Sequence, residues 1–197
     1  MKRDIVIAGV GGQGNIFFSR ILSQYAMERG FQVLGTETIG AAQRGGSVVS
    51  HIRFSDQTLY SPLIPPGLAD VALGMEPLEL LRNMRMLSTE GYWILNRRRI
   101  PTVFTNLGID RYPADEEIER ALQKACPRGF ILSATEEAVR LGDIQVTNVV
   151  LLGALAEVDG FFQPDEVEVI LRQVTPARLL EKNVEAFAAG RRIVGRG

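Results

Sequence analysis

Hydrophobic positions along this chain change period repeatedly, and the changes mark its elements. Asp4 to Val10 is a short unbroken apolar run, the pattern of a strand buried on both faces. Asn15 to Arg29 spaces Ile16, Phe17, Ile21 and Leu22 over a helix-length stretch that Gly30 stops. Phe31 to Thr36 predicts a second strand. Ser47 to Phe54 alternates, with Val48, Ser50, Ile52 and Phe54 on one side and Val49, His51 and Arg53 on the other. That strand is expected either to lie half exposed or to face two different layers. SPLIPPG, Ser61 to Gly67, is too rich in proline for a regular element. DVALGM then reads as a strand, and Pro77 opens a helix at the first position, where its missing N–H costs nothing. Gly91 to Asn96 and Pro101 to Thr105 are further expected strands. Asp115 starts a helix running to about Ala125, and Phe130 to Ser133 is another strand. The last third spaces its apolar residues at three to four in Asn148 to Val158, Pro164 to Val174 and Pro176 to Gly190, so it is expected to be helical.

Strands alternating with helices place the chain in the α/β class. The expected fold is a three-layer sandwich around a mostly parallel, mixed central sheet, with a Rossmann-like first strand-loop-helix and a helical C-terminal third. No repeat, low-complexity tract or linker interrupts it, so residues 1–197 are read as one domain.

Composition narrows the function. A formal charge of −1 leaves no reservoir of positive potential, so neither nucleic acid nor an anionic membrane is an expected partner. Arg97, Arg98 and Arg99 form one basic cluster, read most simply as a solvated loop, with contact to an anionic ligand or an acidic partner surface as the alternative. The apolar run behind the basic N-terminus is too short for a secretory signal and ends in glycines, which points to a cytoplasmic protein. Cys126 is the only cysteine and His51 the only histidine. One thiol cannot hold an iron-sulfur cluster, and one imidazole without a second ligand cannot build a metal site or a serine triad. Both are expected to be structural. So are Met75, Met84 and Met86, as core fillers, and the carboxylates of 115-DEEIER, at a helix N-terminus.

Two glycine-rich stretches carry the candidate chemistry. GVGGQG, Gly9 to Gly14, sets Gly9, Gly11 and Gly14 in G-x-G-x-x-G spacing between a strand and a helix, with Gly12 and Gln13 inside it. Backbone amides at such a helix start can hold a phosphate. A dinucleotide site also needs an acid after the second strand and then a crossover helix. Glu37 is roughly placed for the acid, but the next segment is a second glycine loop leading into a strand, so the crossover is missing. A tight turn that binds nothing remains the alternative. The second loop, Gln43-Arg44-Gly45-Gly46-Ser47, joins paired glycines to an arginine whose fork of donors suits a carboxylate or phosphate. If both loops leave strands at the same edge of the sheet, they converge on one crevice suited to an anion.

GVGGQG, TETIGAAQRGGSVVSHIRFS, SPLIPPGLADVALGMEPLELLR, NVVLLGAL and KNVEAFAAG stand here in the order and at about the spacing of one family. The chain resembles the gamma subunit, or gamma domain, of 2-oxoacid:ferredoxin oxidoreductases over almost its whole length. SHIRF, SPLIP and DVALGMEPLELLR look most like the indolepyruvate ferredoxin oxidoreductase beta subunit. The resemblance implies a division of labour. Thiamine diphosphate with magnesium attacks the 2-oxoacid carbonyl, iron-sulfur clusters pass electrons to ferredoxin, and coenzyme A takes the acyl group as co-substrate. This chain is then the subunit with neither thiamine nor cluster. Its own residues agree, because the nearest approach to a magnesium-diphosphate motif is Val158-Asp159-Gly160 with Asn183, and it lacks the first glycine. Helix termination by Asp-Gly is the better reading of that segment.

The expected partners are the thiamine-binding and cluster-binding subunits, and ferredoxin through the complex; the isolated chain is expected to be inactive and to self-associate as a homodimer. Two other functions stay open at the level of sequence: an independent nucleotide-dependent oxidoreductase built on GVGGQG, and an assembly module without a ligand.

Overall fold

A computed structural model describes residues 1–40 and 46–194 of the chain. Its sheet has six strands: β1 (Lys2–Val10), β2 (Gln32–Ile39), β3 (Ser47–Ser55), β4 (Ala69–Gly74), β5 (Leu87–Asn96) and β6 (Gly129–Leu132), in the order β2-β3-β1-β4-β5-β6. β1, β4, β5 and β6 run parallel, while β3 lies antiparallel between β1 and β2. The sheet is therefore mixed but mostly parallel, as expected. β2 and β3 form a hairpin, so the crossover that a dinucleotide fold would place after β2 is absent from this topology.

Eight helices accompany the sheet among the described residues: α1 (Asn15–Glu28), α2 (Pro77–Asn83), α3 (Val103–Asn106), α4 (Asp115–Ala125), α5 (Ala134–Arg140), α6 (Thr147–Val158), α7 (Pro164–Val174) and α8 (Ala177–Val194). One face of the sheet, with Ile5, Ile7, Ile52, Phe54, Leu73 and Ile94, packs against α1, α6, α7 and α8. Ala72, Trp93 and Leu95 on the other face meet Leu80 of α2 and Ile118 and Leu122 of α4. Beside them Val6, Ile64, Ala69 and Met86 close a smaller cluster under the proline-rich segment. These are the three layers.

α6 is buried throughout from Asn148 to Ala156, because α8 and α5 pack most closely on it and α1 and α7 also touch it. A helix apolar all round requires such an enclosure. β3 resolves the two alternatives for its alternating pattern: Ile52 and Phe54 enter the main core, and Val49 packs on the small cluster.

Three expectations change. Pro101 to Thr105 is not a strand; after β5 the chain leaves the sheet and forms α3, capped by the Thr102 hydroxyl, which accepts from the Thr105 N–H at 3.2 Å. The proline cannot donate to a ladder, and the threonine offers the backbone a helical start instead. β5 begins at Leu87, four residues before the expected start. α5 has no counterpart in the sequence reading, its apolar spacing being too short to register.

Candidate anion-binding crevice

The glycine loop joins β1 to α1 at the carboxyl edge of the parallel strands. Gly12 and Gly14 have φ of 99° and 84°, a region costly to any residue with a side chain. A Cβ on Gly14 would also stand 2.4 Å from Asn148 Nδ2 on α6, whose amide donates to the Gly14 carbonyl at 3.3 Å. Gly9 leaves room for the Gln13 amide, since a Cβ there would stand 2.7 Å from Gln13 Oε1. That amide is a clasp: its oxygen accepts from the Val10 N–H at 2.8 Å, and its nitrogen donates to the Met75 carbonyl beyond β4 at 2.9 Å. Asn96, at the end of β5, donates to the same carbonyl at 3.1 Å and to Thr135 Oγ1 at 3.0 Å. A buried polar belt thus crosses the carboxyl ends of β1, β4 and β5 to the start of α5.

Gly46 and Ser47, the last residues of the second stretch, also lie at this edge. Gln43, Arg44 and Gly45 lie outside the described residues. Gly46 and Ser47 lie within them, and the Gly11 N–H donates to the Gly46 carbonyl at 2.9 Å. The Ser47 hydroxyl donates to Glu79 Oε2 at 2.5 Å, and Arg82 pairs with the other carboxylate oxygen at 2.7 Å. The antiparallel pairing of β3 with β1 explains the convergence, because Ser47 opposes Val10 across that ladder.

Of the loop amides, Gly11 is taken by Gly46 and Gln13 by the Val10 carbonyl at 3.2 Å. The N–H groups of Gly12 and Gly14 have no partner among the described residues, and the first turn of α1 stands behind them. Two cavities flank the loop. One, of about 360 Å³, sits over the belt and is lined by Gly12, Gln13, Met75, Arg98, Ile100, Thr135, Ile144, Gln145 and Thr147. The other, of about 340 Å³, is lined by Val10 to Ile16 with Glu37 and Val48. Asn15 borders the second; it is buried, and neither polar atom of its amide has a partner among the described residues. Glu37 accepts from Ser50 at 3.2 Å. It stands on β2, separated from β1 by β3, so its relation to the loop is not that of the ribose-binding acid in a dinucleotide fold.

Nothing in the sequence marked Thr135, Gln145 and Thr147 as crevice residues, and Arg98 entered only as one of three arginines whose contact with an anion was the lesser alternative. Arg98 follows β5 at the ligand-binding edge of a parallel sheet, a position that carries some signal. It is exposed and forms no ion pair among the described residues, whereas Arg97 reaches Glu119 at 3.5 Å and Arg99 reaches Asp115 at 2.6 Å. Gln145 and Thr147 arrive through a 3₁₀ turn ahead of α6, which no local pattern announces.

The chain belongs to the pyruvate ferredoxin/flavodoxin oxidoreductase family. Its family model matches residues 4–193. Indolepyruvate oxidoreductase subunit IorB of Pyrococcus horikoshii is 37% identical over 189 residues, covering 95% of this chain and 93% of that protein. The gamma subunit of the keto/oxoacid ferredoxin oxidoreductase from Geobacter sulfurreducens has the same fold, with a TM-score of 0.72 at 20% identity and 99% of each chain covered. A 2-oxoglutarate:ferredoxin oxidoreductase from Magnetococcus marinus, solved with 2-oxoglutarate, coenzyme A and succinyl-CoA bound, matches with a TM-score of 0.76 at 19% identity; the match covers 100% of this chain and 31% of that one. The family and the α/β architecture are those the sequence motifs implied.

The remaining residues weighed in the sequence have structural places in this family member. Asp159 closes α6 and is buried against Arg3 and Tyr92, Asn183 donates to the Leu179 carbonyl one turn back at 2.8 Å, and the Cys126 thiol faces the Gly91 carbonyl at 3.4 Å. No helix among the described residues is long and apolar enough to cross a membrane.

His51 is buried, and its Nδ1 accepts from the Ile64 N–H at 3.3 Å, which requires the ring to be unprotonated there. Burial, and then the charge of Arg53, push its pKa below 6.5. Between that depressed value and 6.5 the unfolded chain binds the proton more readily than the folded one, so stability falls as pH drops through this window and is fully restored above it. Urea midpoints measured from pH 7.5 to 5 should decline more steeply for the wild type than for His51→Gln. Parallel declines would remove this role.

Proposed function

We propose that this chain is the subunit of a 2-oxoacid:ferredoxin oxidoreductase that carries neither thiamine diphosphate nor an iron-sulfur cluster. Its glycine-loop crevice receives the phosphate-bearing part of coenzyme A, or an acidic loop of the partner subunit. Thiamine diphosphate, magnesium and the clusters then reside on partner subunits, and ferredoxin is reduced through the complex. Relatives of nearly the same length are subunits of such enzymes, and one solved relative of the fold holds coenzyme A.

The observation that carries the reading is the Gly11–Gly46 hydrogen bond. It sets the start of a helix beside Gly46, two residues after Arg44 in the chain, and it leaves the Gly12 and Gly14 amides for an anion. Arg44 is the charged clamp in this scheme, and Arg98 adds a second cation across the loop. The independent nucleotide-dependent reading has less support, since β3 separates Glu37 from the strand that feeds the loop.

Reconstitution tests the proposal. The isolated chain should be inactive, and 2-oxoacid-dependent reduction of ferredoxin should appear when the partner subunits that bind thiamine diphosphate and the clusters are added. In the reconstituted enzyme, Arg44→Ala should weaken coenzyme A use or subunit assembly by roughly 1.5 to 3 kcal/mol, the range for a hydrogen bond to a charged group, with the fold unchanged. A variant that assembles and turns over with wild-type kinetics would discard the clamp.

A further inference from the structure

Between β5 and α4 the chain makes an excursion from Ile100 to Tyr112 whose two ends are tied to one oxygen. The Ile100 N–H donates to Glu76 Oε1 at 3.2 Å, and the Tyr112 hydroxyl donates to that same atom. Glu76 is 1% exposed, and its other oxygen caps α2 by accepting from the Glu79 N–H at 2.9 Å. Arg99 lies over the Tyr112 ring at 5.6 Å and completes the neck.

Beyond this neck the segment is ordered by its own caps. Thr102 starts α3, and Gly108, with φ of 70°, ends it. Gly108 N–H donates to the Thr105 carbonyl and Ile109 N–H to the Phe104 carbonyl, both at 3.0 Å, the paired bonds of a Schellman motif. The result is a preformed helical knob with nothing buried: Val103 is 70% exposed, Phe104 61%, Leu107 67% and Ile109 69%. Four large apolar side chains in seven residues of an ordered loop form a patch that water solvates poorly.

We infer that this knob is a docking element that inserts into an apolar pocket on the partner subunit of the same oxidoreductase complex. The inference rests on the subunit reading above. A second copy of this chain is the weaker occupant for two reasons. The patch measures roughly 450 Å², at about 150–200 Å² for each residue fully exposed, so two knobs facing each other bury about 900 Å², below the roughly 1,200 Å² of a stable pair. A convex knob also fails to complement itself, whereas a two-fold dimer needs a self-complementary patch. A knob instead needs a hole, and apolar anchors seated in pockets dominate the energy of larger interfaces. Ile100 joins the neck to the 360 Å³ cavity, so a partner seated on the knob would also border the crevice.

The test uses the full chain and its co-expressed thiamine-binding partner, with affinity measured by titration calorimetry and mass by sedimentation. Phe104→Asp and Leu107→Asp should each weaken the complex by roughly thirtyfold or more, while the circular dichroism and urea midpoint stay at wild-type values. Val169→Asp, at an exposed apolar position on α7, should leave the affinity unchanged. Wild-type affinity in both knob variants overturns the inference alone. Loss of self-association in those variants with partner binding intact gives the knob to a second copy and also overturns it. Failure of the wild-type chain to bind the partner at all overturns the subunit reading, and this inference with it.

Discussion

Gly190→Ala is expected to destabilise the chain by on the order of 3 kcal/mol, although alanine is the better helix former by about 1 kcal/mol. The reason is the crossing of α6 and α8. A Cβ on Gly190 would stand 1.9 Å from the Val150 carbonyl oxygen, and one on Gly153 would stand 2.1 Å from the Phe187 carbonyl oxygen. The two helices therefore touch backbone to backbone, each glycine facing a carbonyl of the other helix. Those atoms are not flexible side-chain ends, so the helices themselves must move apart. Separation would loosen Val150, Leu151, Ala186 and Phe187, all buried in the main core. Against a typical total stability of about 5 to 15 kcal/mol, such a loss is large. The urea midpoint should fall with an unchanged slope. A midpoint equal to or above wild type would show that the crossing tolerates a methyl group and that helix propensity wins.

A loss of about 3 kcal/mol or more is also expected from Asp159→Ala. Asp159 Oδ2 accepts from Arg3 Nε at 3.1 Å, from Arg3 Nη2, and from the Tyr92 hydroxyl at 2.6 Å; Oδ1 accepts from the Phe161 N–H at 3.0 Å. The carboxylate side chain is 1% exposed and that of Arg3 23%. Removing the acid strands a mostly buried guanidinium and a half-buried phenol, while also untying the turn that delivers Phe161 and Phe162 to Tyr25 and Phe54. Burial, followed by the charge of Asp159, raises the Tyr92 pKa, so the phenol stays a donor across the accessible range. The double variant Arg3→Met with Asp159→Leu should recover much of the loss, because no unpaired charge then remains. If the single variant unfolds at the wild-type urea concentration, the triad contributes nothing net.

Local pattern was sufficient where a single element explains itself. The apolar run of β1, the glycines after it, Pro77 at the start of α2 and the amphipathic stretches of α4 and α7 read the same way in sequence and structure. Pro101 to Thr105 failed because its residues suit either state, and the choice lay with the Thr102 cap and the neck at Glu76, a residue 25 positions away. Asp159 was legible as a helix stop, but its ion pair joins residues 156 apart.

The candidate crevice divides in the same way. The glycine-rich turn from Gly9 to Gly14 was visible as a motif, and the left-handed backbone at Gly12 and Gly14 supplies the reason for two of its glycines, a constraint that acts within one turn. The approach of Gly46 to Gly11 could be stated only as a condition, since it depends on β3 running antiparallel beside β1. Arg98, Thr135 and Gln145 reach the first cavity from three further segments, each placed by the strand order. Sequence by itself determined the family and most of the elements, because periodicity, glycine spacing and motif order are local quantities. Tertiary structure alone decided which loops share an edge, which carboxylates are consumed by ion pairs and which apolar residues stay uncovered, because each of these follows from contacts between residues that the chain itself keeps far apart.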